Sequence, residues 1–95
     1  MAIQLIVRFK VKEGSVDAFI DTMLGAKSRI ASAAGCEAVD VLQSEENPCV
    51  IALSERWQTQ EAHDVYAEQM RASGALDGLF ELLDGAPEAD SYQIK

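Results

Sequence analysis

The residues of this chain that could do chemistry lie close together in LSERWQTQEAHDVY, residues 53–66. This stretch contains the only tryptophan, Trp57, the only histidine, His63, and one of the two tyrosines, Tyr66. A neutral imidazole can take a proton from a phenol or a quinol. An indole ring can form the wall of a pocket for a flat aromatic ligand, and a tyrosine hydroxyl can donate a hydrogen bond to charge developing on that ligand. These three residues are therefore the candidate catalytic residues.

The same residues also have a purely structural interpretation, and their spacing is compatible with both. Trp57 can be a core anchor whose indole N–H reaches a single acceptor, and His63 can be a surface residue half shielded by its neighbours. Glu55 lies two positions before Trp57 and so shares its face of a strand. A carboxylate on that face needs an arginine or a backbone donor, and we expect a structural ion pair there.

The elements that position this stretch follow from the hydrophobic periodicity. Residues 3–11 alternate apolar and polar side chains, which is typical of a strand. Residues 16–34 repeat apolar side chains at helical spacing, with Ser15 as the expected N-cap and Gly35 as the C′ residue. The remaining expectations are strands at 36–43 and 49–58 joined by SEENP, a helix at 60–71 capped by Thr59, a helical turn or two in ALDGLFELL (75–83), and a strand at 89–94.

The second helix is expected to carry an apolar arc toward the sheet. A projection at about 100° per residue puts Ala62, Val65, Tyr66 and Met70 on this arc, with Gln69 among them and His63 at its margin. Trp57, His63, Tyr66 and Met70 can then line one cavity between sheet and helix. The candidate substrate-binding residues are Phe9, Met70 and Phe80, although Met70 and Phe80 are most simply explained as core.

The element order predicts an α+β fold of one domain over residues 1–95. Strand, helix, strand, strand, helix, strand is the ferredoxin-like βαββαβ arrangement, with the first and third strands central and both helices on one face. The other face is also apolar, because Ile6, Val50 and Ala52 occupy the opposite parity. A sheet covered on only one of two apolar faces needs a second layer. We therefore expect a homodimer through the open sheet face.

Composition excludes several kinds of partner and site. The net charge of −8 repels nucleic acid and anionic lipid, and no apolar run or leader-like block indicates a membrane span or export, so a cytoplasmic protein is expected. Cys36 and Cys49 would lie about 20 Å apart along paired strands at about 3.3 Å per residue, whereas a disulfide needs Cα atoms within about 7 Å, so both should be free thiols. Two cysteines and one histidine also make a poor zinc site, and no metal is expected.

The motifs resemble those of the antibiotic biosynthesis monooxygenase family of dimeric α+β barrels. The resemblance lies in Glu55 and Trp57 at the end of a strand, the acid- and alanine-rich helix TQEAHDVYAEQM that follows, and the pair Gly35 and Cys36 opening the second strand. It extends over almost the whole chain, strand order included. It implies a small homodimer, and some members of the family oxidise polyketide-derived phenols or quinols with O2 and no bound cofactor, while relatives degrade haem.

Departures from the family pattern narrow what the resemblance implies. Members often place a histidine nine residues after the tryptophan, where this chain has Tyr66, and haem degraders carry an asparagine on the first strand, where IQLIVRFKV has none. The resemblance therefore favours a cofactor-independent monooxygenase acting on a small aromatic substrate, with His63 as base and Tyr66, or Arg8 or Arg56 if they point inward, as donors. For the arginines, solvation at a rim or pairing with Glu37 or Glu55 across the dimer is the competing interpretation. The alternative function is a non-catalytic dimeric barrel that binds a small apolar or aromatic molecule, and a purely structural dimerisation module is a third.

Overall fold

The computed structural model describes residues 2–74 and 77–95. Its strands and helices follow the predicted order. They are β1 (Ile3–Lys10), α1 (Val16–Ala31), β2 (Cys36–Gln43), β3 (Val50–Trp57), α2 (Gln60–Ser73), the short α3 (Asp77–Phe80) and β4 (Glu88–Gln93). Ala75 and Leu76, which belong to the predicted ALDGLFELL segment, lie outside the described residues.

The four strands form one antiparallel sheet in the order β2-β3-β1-β4, so the predicted ferredoxin-like topology is confirmed. In the central pair, Ile3 lies opposite Trp57 and Phe9 opposite Ile51. Because residues opposite each other in a sheet share a face, the odd-numbered residues of β1 and β3 all point to the same side. That side carries most of the core, with Phe19, Ile51 and Trp57 fully buried.

Strand alternation also defines an open face, made of the even-numbered residues of β1 and β3. Half-buried Ile6, Val50 and Ala52 lie there beside polar groups. Leu42 on β2 and Tyr92 on β4 belong to this face and are 49% and 50% exposed. Among the described residues, no helix is long and apolar enough to cross a membrane.

The first helix is shorter than its apolar pattern predicts. It ends at Ala31, four residues before Gly35, and Ser15 occupies the N-cap position without a side-chain hydrogen bond. The early end follows from the sheet: the Gly35 carbonyl accepts the Gln58 N–H at 2.8 Å and is already part of the strand pairing. The intervening residues must therefore turn, and the expectation that Gly35 is the C′ residue of the helix was wrong.

The second helix begins where its sequence predicts. The Thr59 hydroxyl accepts the Ala62 N–H at 3.1 Å, which satisfies one of the free donors of the first turn. Gly74, with φ of +71°, ends the helix in the left-handed conformation.

Gly35 and Ala62 determine how closely α2 approaches the start of β2. Gly35 has φ of +86°, and a Cβ placed there would lie 2.6 Å from the Ala62 Cβ. No side chain fits this position, because two carbon atoms at that distance overlap. The absence of a side chain at residue 35 therefore lets α2 lie directly against the α1–β2 turn.

We expect Gly35→Ala to lower the free energy of unfolding by about 2–4 kcal/mol. Alanine is strained in the left-handed backbone conformation, and its Cβ would also overlap the Ala62 side chain. Gly14→Ala is the matched control, because Gly14 has φ of +89° and nothing within 4 Å. It should show the strain alone, about 1–2 kcal/mol. Urea unfolding measures both values. Equal losses in the two variants would show that the contact with Ala62 is not tight, and Gly35→Ala combined with Ala62→Gly should recover the overpacking part.

Candidate active site

Trp57 is fully buried at the end of β3, on the side of the sheet that faces the helices. Strand pairing puts Ile3 on one side of it and Cys36 on the other. Its indole N–H donates to Glu55 Oε1 at 2.9 Å. The single acceptor that a buried tryptophan needs is therefore the carboxylate two residues earlier on the same strand.

Glu55 is the buried charged residue of the core, with 5% of its surface exposed. Loss of solvent raises the pKa of this carboxyl, while the Trp57 hydrogen bond and the nearby His63 act in the opposite direction. No arginine pairs with Glu55 among the described residues, and Arg56 bonds to Glu37 at 3.2 Å instead. At neutral pH, the free-energy difference between the protonated and the ionised form of Glu55 is therefore smaller than it is for an exposed glutamate.

His63 lies against the edge of the indole. The ring centroids of Trp57 and His63 are 5.4 Å apart with an interplanar angle of 72°, an edge-to-face contact. The His63 Nδ1 atom is buried and has no hydrogen-bond partner among the described residues. Asp64 Oδ1, at 3.8 Å, is too distant to serve. His63 therefore retains an unused ring nitrogen beside the buried cluster.

Tyr66 contacts the same indole from the next turn of α2. Its ring centroid lies 5.5 Å from that of Trp57. Burial raises the pKa of the Tyr66 hydroxyl and the Glu55 charge raises it further, while Arg29 acts in the opposite direction. Tyr66 is thus held as a neutral hydrogen-bond donor, and the structure brings the three candidate catalytic residues Trp57, His63 and Tyr66 together.

The face that α2 turns toward the sheet differs from the predicted arc. Val65 is 60% exposed, whereas the His63 side chain is only 19% exposed. Gln69 is also exposed. The half-buried residues of α2 are Ala62, His63, Tyr66, Ala67 and Met70. His63 therefore lies near the centre of the inward face, where the predicted arc had placed it at the margin.

The candidate substrate-binding residues lie apart from one another. Phe9 is buried against Phe19, with ring centroids 5.1 Å apart, at the opposite end of β1 from Trp57. Met70 lines a hollow between the helices, and Phe80 is 48% exposed on α3. Met70 is therefore the member of this set that borders open space on the α2 side of the sheet.

Arg8 and Arg56 do not point toward the cluster. Both lie on the open face, where Arg8 bonds to Asp90 at 2.8 Å and to Glu88 at 3.4 Å. The condition for their role as donors, an inward orientation, is therefore not met. The physical reason is strand parity, because both residues are even-numbered on strands whose odd-numbered residues face the helices. Arg56 pairs with Glu37 within the chain, whereas the expected pairing was across the dimer.

Two hollows border α2, and neither is lined by Trp57. The interhelical hollow, about 270 Å³, lies between α1, α2 and the α3 segment and is lined by residues that include Met23, Ala26, Arg29, Met70, Leu79 and Leu82. The Tyr66 hollow, about 350 Å³, lies between the α1–β2 turn and α2 and is lined by residues that include Ala33, Gly35, Ala62, Tyr66 and Gln69. The predicted single cavity shared by Trp57, His63, Tyr66 and Met70 is thus divided, with Tyr66 and Met70 on different hollows.

The arrangement can move a proton but offers no metal site in the described part of the chain. No group of three metal-ligating side chains occurs among the described residues, and Cys36 and Cys49 are free thiols, as predicted.

Two residues, Glu55 and Arg29, have a larger part in the structure than the sequence analysis gave them. The sequence indicated a role for Glu55 because it lies two residues before Trp57, on the same face of the strand. For Arg29 the sequence gave no such indication beyond its position near the end of a helix.

Comparison with known proteins identifies relatives of this chain. The model of the antibiotic biosynthesis monooxygenase family matches residues 2–71. Among solved structures, a conserved protein from Methanosarcina mazei Go1 shares 24% identity, with a TM-score of 0.90 over 100% of this chain and 94% of that one. A Bordetella bronchiseptica protein that carries the same family description shares 25% identity, with a TM-score of 0.81 over 99% and 97%. SnoaB, a cofactor-independent oxygenase from Streptomyces nogalater, shares 15% identity, with a TM-score of 0.85 over 99% and 93%. No curated protein matches the sequence at a significant level.

We expect Glu55→Gln to stabilise the protein at pH 7.5 and to lose this advantage toward pH 4. Folding raises the pKa of the Glu55 carboxyl, so as pH rises the unfolded chain releases this proton first. The free energy of unfolding of the wild type then falls between the unfolded and the folded pKa, and glutamine removes that loss while still accepting the Trp57 N–H.

Urea unfolding of the wild type and of Glu55→Gln at both pH values measures this difference. Glu61→Gln is the control, because Glu61 is an exposed carboxylate in the first turn of α2. It should change the stability little at either pH. A Glu55→Gln variant that is less stable at pH 7.5 than at pH 4, relative to wild type, would show that the folded protein favours the ionised carboxylate.

Proposed function

This chain belongs to the antibiotic biosynthesis monooxygenase family, and from that premise we propose that it is a cofactor-independent monooxygenase that oxidises a small aromatic phenol or quinol with O2. The observation that carries the proposal is the cluster of Glu55, Trp57, His63 and Tyr66, in which the buried His63 Nδ1 has no hydrogen-bond partner among the described residues. The relative SnoaB, described as a cofactor-independent oxygenase, supports the reaction class.

The proposed reaction needs a base and a hydrogen-bond donor. A phenol with a free para position and O2 give a para-quinone and water: one oxygen atom bonds to the ring carbon, and the other leaves as water with the phenolic and the ring hydrogens. The step begins with removal of the phenolic proton, because the phenolate is the electron-rich form that O2 can oxidise. We assign that proton transfer to His63.

The other members of the cluster support His63 in this proposal. Trp57 holds the imidazole edge in place through the ring contact. His63 lies close enough to Glu55 to lower the pKa of the Glu55 carboxyl, so the two groups interact electrostatically. Tyr66 donates its hydroxyl proton to the oxygen on which negative charge develops.

We further propose that the protein acts in the cytoplasm as a homodimer joined through the open sheet face. Ile6, Val50 and Ala52 are only half-buried there, and Leu42 and Tyr92 are half-exposed. A second sheet laid on this face would remove these side chains from water and complete the dimeric barrel implied by the resemblance.

A non-catalytic dimeric barrel that binds a small apolar or aromatic molecule is the second candidate function. It is favoured by the complete burial of Trp57 and by the absence of Trp57 from the lining of both hollows. A protein of this kind would bind its ligand in a hollow, and His63 would serve the packing of α2. Oxygen consumption separates the two functions.

We expect His63→Gln to lower kcat for oxygen uptake with 1-naphthol, or another responsive phenol with a free para position, by about 100-fold or more, because a general base contributes about 10²–10⁴-fold. KM should change little. The loss should shrink as pH rises, since the substrate then ionises without help from the protein. An oxygen electrode measures the rates.

Glu61→Gln is the control, because Glu61 is exposed on the same helix and lines neither hollow. It should keep the wild-type rate. Oxygen uptake that is unaffected by His63→Gln would remove the base role, and no uptake with any phenol or quinol would favour the binding function.

The homodimer is tested by a pair of matched leucines. Leu42 on the open face is 49% exposed and Leu24 on α1 is 51% exposed. We expect Leu42→Glu to shift the wild-type dimer toward monomer in sedimentation experiments, since it buries a charge in the interface, and Leu24→Glu to leave the dimer intact. A wild-type monomer, or dissociation by Leu24→Glu alone, would contradict this assembly.

A further inference from the structure

The interhelical hollow is mostly apolar, and the polar side chains that line it belong to Thr22 and Arg29. Met23 and Leu79 on its wall are buried, and Met70 and Leu82 are half-buried. Arg29, near the end of α1, also lines it. At about 270 Å³, this space is near the lower end of the roughly 300–1,000 Å³ typical of ligand pockets, so a molecule of one or two rings is the size that it suits.

Arg29 differs from the other arginines in having no carboxylate partner. Arg8, Arg56 and Arg71 each bond to at least one acidic side chain. No such contact joins Arg29 to the described residues, although the chain has 16 acidic against 8 basic residues. A shortage of acidic groups therefore does not explain why Arg29 is unpaired.

A position in the last turn of α1 gives Arg29 one structural role, because a cation there interacts favourably with the helix dipole. This role does not require Arg29 to line a hollow. The Arg29 charge is also near enough to Tyr66 on α2 to lower the pKa of its hydroxyl against the larger effect of burial. The Arg29 charge thus lies within electrostatic range of α2, the helix that supplies Met70 to the interhelical hollow.

We propose that the interhelical hollow binds a small aromatic anion, a carboxylate or an ionised phenol, with its charged group on Arg29 and its ring against Met23, Met70 and Leu82. A planar guanidinium can pair with a carboxylate through two hydrogen bonds, and thioether and aliphatic side chains adapt to a flat ring. The net charge of −8 disfavours polyanions. The ligand class is therefore a compact ring with a single negative charge.

That this anion is the substrate rests on the proposed function, whereas its binding does not. His63 and Met70 lie two helical turns apart on the same side of α2. A phenol ionised at His63 would carry the charge that Arg29 is placed to bind. The proposed reaction and the proposed site therefore require the same form of the ligand.

Calorimetric titration with 2-naphthoate and its neutral isostere 2-naphthamide tests the site. The wild-type protein should bind naphthoate about 5- to 10-fold more tightly, as expected for a partly exposed charge-assisted pair. Arg29→Gln should abolish this preference and keep the naphthamide affinity. Lys27→Gln, which removes the same charge from the same helix at a position that does not line the hollow, should preserve it.

A second pair of variants tests the location. Ala26 lines the hollow, so Ala26→Leu should fill it and weaken both ligands about 10-fold or more, while Ala18→Leu on the exposed side of α1 should not. No binding of naphthoate by the wild-type protein, an unchanged preference in Arg29→Gln, or unchanged affinity in Ala26→Leu would each overturn the proposal. Unfolding midpoints of the variants show whether each of them is folded.

Oxygen uptake distinguishes failure of this inference from failure of the proposed function. If uptake depends on His63 but naphthoate binding is indifferent to Arg29, the monooxygenase stands and the anion site falls. If binding follows Arg29 and no phenol supports uptake, the anion site stands and the monooxygenase falls.

Discussion

The hydrogen bond from the Trp57 indole to the Glu55 carboxylate is the interaction on which the rest of this site depends. Glu55 is buried on the apolar side of the sheet, where a carboxyl group without a donor would cost several kcal/mol. The indole N–H meets that need at 2.9 Å while the rest of the ring fills the core. Because both groups lie on one strand, strand geometry holds them together without any long-range contact. The rings of His63 and Tyr66 then pack against an indole whose position is already determined.

A second constraint, the close approach of α2 to Gly35, determines which helix residues reach the indole. A side chain at residue 35 would overlap Ala62, so the helix can lie this close only above a glycine. With Ala62 inward, His63 and Tyr66 come toward Trp57, and Val65 turns to solvent. The position of the candidate base therefore depends on a residue that has no side chain and takes no part in chemistry.

The two faces of the sheet differ in how their charged groups are paired. On the open face, Arg8 and Arg56 are neutralised by acidic neighbours on adjacent strands, which leaves that surface locally balanced and partly apolar. On the helix side, Glu55 and Arg29 have no oppositely charged partner within salt-bridge distance among the described residues. A face with balanced charge suits association between protein copies, whereas an unpaired arginine that lines a hollow suits interaction with a small anion. The proposed dimer and the proposed ligand sites follow from this division.

The sequence by itself determined the elements, their order, the Thr59 cap and the nearness of Trp57, His63 and Tyr66, because each of these depends on spacing along the chain. Period-two alternation identified the strands and placed Glu55 on the face of Trp57, and the element order indicated the ferredoxin-like sheet. Only the tertiary structure decided the early end of α1, the rotation of α2, the separation of Phe9 from the cluster and the place of Arg29 on a hollow. These features depend on distances between elements. Neither the apolar pattern of one helix nor the presence of one glycine determines such distances, which are set only when the helix packs on the sheet.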